Sequence, residues 1–95
     1  MEQRLFADLL GQQFVLQAPK GGISARMELV EARTLGAAAL PGGRAPFSLL
    51  FRAGGGPLLP QQIYRVSHPA LPPMDIFLGP VAADGEGPCY EAVFN

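Results

Sequence analysis

From Phe14 onward, apolar and polar side chains change places residue by residue, with short interruptions. Phe14 and Leu16 alternate with Gln13, Val15 and Gln17, and Ala25, Met27 and Leu29 alternate with Arg26, Glu28 and Val30 in a run reaching about Thr34. Pro46 opens a third run, with Phe47, Leu49 and Phe51 on one side and Ser48, Leu50 and Arg52 on the other. In a fourth, from Ile63 to Ser67, Tyr64 and Val66 oppose Ile63 and Arg65. A fifth sets Met74, Ile76 and Leu78 against Asp75 and Phe77 and ends near Val81; the last sets Tyr90, Ala92 and Phe94 against Glu91 and Val93, up to Asn95. A period of two is the mark of a strand with one face buried, so six strands are predicted.

The first residues follow another period. Leu5, Phe6, Leu9 and Leu10 form one stripe at helical spacing, with Glu2, Gln3 and Asp8 opposite, so residues 2–10 are predicted to be a short helix that Gly11 ends. Nine residues do not hold a helix alone. The stripe is therefore expected to pack as a plug at the end of a sheet or barrel.

Turn chemistry separates the runs: Pro19-Lys20-Gly21-Gly22, a loose segment from Gly36 to Ala45, Gly54-Gly55-Gly56-Pro57, a corner from His68-Pro69 to Pro72-Pro73, and Asp84-Gly85-Glu86-Gly87-Pro88. Without helical crossovers, the strands must pair antiparallel. The expectation is one domain over residues 1–95, mainly β: a six-stranded antiparallel barrel-like or sandwich domain with a short N-terminal helix. Closure is favoured because an open sheet leaves two adhesive edges. No internal sequence repeat is evident.

Composition narrows function. Charged residues make up 16% of the 95 and the net charge is −1, well under the quarter usual for soluble domains. The basic residues do not cluster, so no nucleic-acid partner is expected. The first residues lack a basic-then-apolar leader and no apolar run reaches bilayer length; a cytoplasmic protein without membrane insertion is the expectation. The single cysteine, Cys89, excludes an internal disulfide and is expected to be buried.

Candidate chemistry is sparse. The single histidine, His68, stands in Ser67-His68-Pro69 without a nucleophile motif around it and is expected to cap a strand end. One histidine and one cysteine do not make a zinc site, the Asp84–Gly87 loop lacks the ligand spacing of a calcium loop, and no glycine run matches a phosphate-binding loop. No cofactor or metal is expected. Most aromatic residues fall on the apolar phase; Phe77 does not, and neither do Leu50 and Ile63. In a closed barrel these three point outward. Phe94 is expected in the core, where Phe94→Ala costs ~3–5 kcal/mol.

Pro46-Phe47-Ser48-Leu49-Leu50-Phe51, Tyr64-Arg65-Val66-Ser67-His68-Pro69-Ala70-Leu71, Ile76-Phe77-Leu78-Gly79-Pro80-Val81 and the ending Tyr90-Glu91-Ala92-Val93-Phe94-Asn95 resemble a family of small bacterial domains of unknown function. The resemblance covers nearly the whole chain and is weakest in the helix and in residues 36–45. Members often accompany phage-tail-collar or microcystin-dependent-type fibre proteins. The resemblance thus implies an accessory to a tail-like or fibre assembly, and it names no catalytic residue.

Two functions follow as expectations. The first is a non-enzymatic structural or protein-interaction module that binds a protein partner or itself through Leu50, Arg52, Ile63 and Phe77. The second is a small-molecule-binding or enzymatic barrel that uses His68 with Tyr64 or Asp75 at its mouth.

Overall fold

The computed structural model describes residues 3–21, 24–36, 45–54, 58–81 and 87–94. It contains a helix α1 (Gln3–Ala7) and strands β1 (Gln13–Gln17), β2 (Ser24–Thr34), β3 (Phe47–Ala53), β4 (Gln62–His68), β5 (Leu71–Val81) and β6 (Cys89–Phe94). The strands close into an antiparallel barrel in the order β1-β2-β3-β6-β5-β4. Of the predicted alternatives, barrel and sandwich, the barrel is the one formed.

The topology is two three-stranded meanders, β1-β2-β3 and β4-β5-β6, each with an 11-residue middle strand. They join along β1·β4, where Val15, Leu16 and Gln17 face Ser67, Val66 and Arg65, and along β3·β6, where Phe47 to Arg52 face Phe94 to Cys89. A repeat therefore exists in the chain path, although not in the sequence.

Alternation places the core as expected. Phe14, Leu16, Met27, Leu29, Phe47, Leu49, Phe51, Tyr64, Val66, Ile76, Leu78, Tyr90 and Ala92 are all buried in one cluster. These side chains occupy the barrel interior, as small barrels require. Phe94 departs from the expectation: it is only partly buried, lying at the end of the barrel where it stacks on Phe47 at 4.6 Å.

Two register shifts explain what simple alternation misses. On β2, Leu29 faces Phe51 but Glu31 faces Leu50, leaving Val30 as an extra residue in a bulge. The phase flips there, so Ala32 faces Leu49 while Glu31 and Arg33 stay outside, 3.4 Å apart. On β5, Met74 faces Val66 and Leu71 faces His68. Pro72 and Pro73 thus stand opposite the single residue Ser67. The predicted corner through Pro73 is in fact strand, because a bulge is where a strand tolerates residues without N–H groups.

The helix is shorter than predicted. After Ala7 the bonds tighten from i−4 to i−3: Asp8 N–H reaches Arg4 O at 3.4 Å, but Leu9 N–H bonds Phe6 O at 2.9 Å. The tighter turn brings Phe6 and Leu9 into the core and swings Leu5 and Leu10 outward. Gly11, at φ +83°, turns the chain into β1 as a terminating glycine should; its N–H bonds Leu29 O at 2.8 Å, on the sheet, instead of closing the helix. The plug itself is real: Phe6 packs 6.0 Å from Phe47 and 5.9 Å from Phe94. The β1–β2 turn is closed by Gly21 N–H on Ala18 O at 3.0 Å. The cores of the expected turns at 36–45, 54–57 and 84–88, and Asn95, lie outside the described residues.

Candidate functional site

Strand parity sends Ile63 and Phe77 outward, and the register sets them directly opposite each other on β4 and β5. The β5·β6 ladder ends with Gly79 opposite Glu91; Phe77 and Val93 are the next outward residues beyond that pair, and both line one shallow surface depression with Val81, Pro80 and Gln61. Ile63, Phe77 and Val93 are 50%, 56% and 52% exposed. Three large apolar side chains therefore form a row across three adjacent strands, on a barrel whose interior is already filled.

Leu50 and Arg52, the other predicted contacts, lie on the outer face of β3 and are half-buried. Leu50 sits between Glu31 and Glu91, and Arg52 between Glu28 and Cys89. They flank the apolar row from the far side of β6 and do not belong to it. Val93 and Val81, which do belong to its surroundings, are absent from the predicted set. Val93 shares its phase with Glu91, opposite Tyr90, Ala92 and Phe94, the same signal that singled out Phe77.

The three residues of the alternative site are not brought together. Tyr64 points inward and is fully buried, its hydroxyl donating to Pro60 O. Burial raises its pKa above the usual phenol value, the nearby Tyr90 adding to the rise against a lowering hydrogen bond from Gln62. Asp75 points outward on the other face and pairs with Arg65, Nε to Oδ1 at 3.0 Å. His68 lies four residues from Tyr64, about 13 Å along the strand, at the opposite end of β4.

At that end, Ala70 N–H donates to His68 Nδ1 at 2.9 Å, closing the two-residue turn into β5. With Nδ1 accepting, Nε2 carries the ring proton and donates it to Gln12 Oε1 at 2.7 Å. The ring also packs on Phe14, 4.7 Å between centroids. Both ring nitrogens thus serve the turn and the neighbouring segment, and no carboxylate or hydroxyl partner is among these contacts. Cys89 is buried, with its Sγ 3.8 Å from Gly87 O. Among the described residues no group of three or more His, Cys, Asp or Glu side chains could hold a metal ion, and no helix is long and apolar enough to cross a membrane.

A family model described as a domain of unknown function (DUF6916) matches residues 1–94. No curated protein and no solved structure matches the chain.

Proposed function

The chain belongs to the DUF6916 family, whose model spans the helix and all six strands together, and from that premise we propose that it is a non-enzymatic protein-interaction module. The contact surface is the outer face of β4, β5 and β6. One observation carries this reading: Ile63, Phe77 and Val93 stand half-exposed in a single row. Apolar side chains in a contiguous row gain when a partner removes them from water, at ~25 cal/mol per Å². The low charge of the chain supports the same reading, because charged residues are depleted where interfaces form.

The resemblance to domains that accompany tail-like or fibre proteins supplies the context. On this reading the partner is a component of such an assembly in a bacterium. The engagement of both His68 nitrogens in structural hydrogen bonds supports the module over the barrel-enzyme alternative.

The test compares the wild-type chain with an Ile63→Ser, Phe77→Ser double variant. Both positions are exposed, so the variant keeps the wild-type Tm. Mass photometry and native pull-down from source cells should show the wild type in a defined complex and the variant as a free monomer. A strictly monomeric wild type with no partner, or a variant that retains the complex, overturns the proposal.

A further inference from the structure

Strand β5 is bonded to β4 along nearly its whole length, from Gln62↔Leu78 to His68↔Leu71. Its other side pairs with β6 only at Gly79↔Glu91, Pro80↔Tyr90 and Val81↔Cys89. Both strands run on past this ladder, β5 back to Leu71 and β6 forward to Phe94. Pro80 has no N–H, so the ladder bonds must be exchanged by its neighbours Gly79 and Val81 with Glu91 and Cys89.

That assignment fixes the parity of the strand. Backbone groups point alternately to the two sides, so Phe77 and Asp75 turn theirs to the same side as Gly79, away from β4. On β6, Val93 follows Glu91 in the same way. Among the described residues no strand pairs with these groups. Below Asp75 the row of donors stops at Pro73 and Pro72. The seam therefore offers the N–H and C=O groups of Phe77 and Asp75 on one lip and those of Val93 on the other. Its outer rim carries the side chains of Phe77, Val93 and Ile63.

We infer that this seam takes an extended segment of a partner chain, laid along β5 as an added strand; the inference rests on the interaction-module reading and names its partner. Strand-edge donors and acceptors are matched in spacing by another extended backbone. The segment spans about four residues, the length between the prolines and Gly79. It is apolar where it faces Phe77 and Ile76 and polar where it faces Asp75.

A second folded copy fits the seam less well. The half-exposed row leaves roughly 300–400 Å² of apolar surface open, about half of what a stable interface buries on each partner. Pairing two β5 edges in the register that uses both free residues, with the twofold axis at Ile76, would also set each Asp75 opposite the other copy's Phe77, a charge against an apolar side chain. Edge addition needs less area, because main-chain hydrogen bonds supply much of its affinity.

Amide hydrogen exchange by NMR on the full chain tests this. The probe is a capped hexapeptide with two central valines flanked by lysine and threonine, used at millimolar concentration; a control peptide carries N-methyl groups on the pairing residues. In the free chain the Asp75 and Phe77 amides should exchange roughly 100-fold faster than those of Ile76 and Leu78. The probe should slow them about tenfold or more, and the N-methylated control should not. Asp75→Pro should leave the fold intact and abolish the effect, whereas Ile76→Pro, which removes a donor aimed at Tyr64, should unfold the barrel. Slow exchange at Asp75 and Phe77 in the free chain overturns the inference, as does the absence of added protection, equal protection by the control, or unfolding of Asp75→Pro. Each of these outcomes leaves the apolar contact surface standing, since that is judged by the serine double variant alone.

Discussion

Replacing Gly87 with alanine probes how tightly the end of β3 is tied to the start of β6. Gly87 has φ +136°, in a region that side-chain-bearing residues occupy only under strain, at ~1–3 kcal/mol. A Cβ built there would collide with the backbone oxygen of Ala53. That oxygen cannot retreat freely, because Ala53 also donates its N–H to Pro88 O at 2.9 Å. Separating the new methyl from the carbonyl stretches this bond, adding about 1 kcal/mol. The total is about 2–4 kcal/mol, a large share of the ~5–15 kcal/mol typical of a domain. Gly11 provides the control: its φ is +83°, yet nothing lies within 4 Å of the added Cβ, so Gly11→Ala carries conformational strain alone, ~1–2 kcal/mol. Urea unfolding followed by circular dichroism should show a larger fall in midpoint for Gly87→Ala than for Gly11→Ala, at unchanged slope. Equal costs for the two, or a Gly87→Ala midpoint within error of wild type, would refute the close approach to Ala53.

Two further outcomes follow from packing and charge. Phe47→Ala should cost ~3–5 kcal/mol as a fully buried ring, and Phe94→Ala about half that, since Phe94 is only partly buried; equal losses in thermal unfolding would contradict the placement of Phe94 at the rim. The folded pKa of Tyr64 is raised by burial above the ordinary value of 10.0. A group with a raised folded pKa keeps its full contribution below the unfolded pKa and loses it as pH climbs toward the folded one. Stability should therefore hold up to about pH 10 and fall above it, and Tyr64→Phe should flatten that fall in urea titrations between pH 8 and 11; an unchanged alkaline slope would refute the buried phenol.

How much of this could be read from the chain depended on whether a feature lives in alternation or in pairing. The inward set from Phe14 to Ala92 and the outward Ile63 and Phe77 are properties of phase within one strand, and they were legible. Val93 carried the same signal and needed only that the rule applied to Phe77 be carried to the last strand. Barrel closure, the bulge at Val30 and the strand through Pro72 and Pro73 are properties of two strands together. A bulge is defined by its partner, Phe51 for Val30 and Ser67 for the prolines, so no single run displays it. The residues of the alternative site lie apart for a reason that phase already contained. Tyr64 and Asp75 face opposite sides of the sheet, because Asp75 stands opposite Arg65 while Tyr64 stands opposite Ile76. The seam is the converse case. Pro80 looks like an interruption in the sequence, yet once its partner Tyr90 is known, its missing donor dictates which neighbours bond to β6. The groups left over, on Phe77, Asp75 and Val93, follow from that one absent hydrogen.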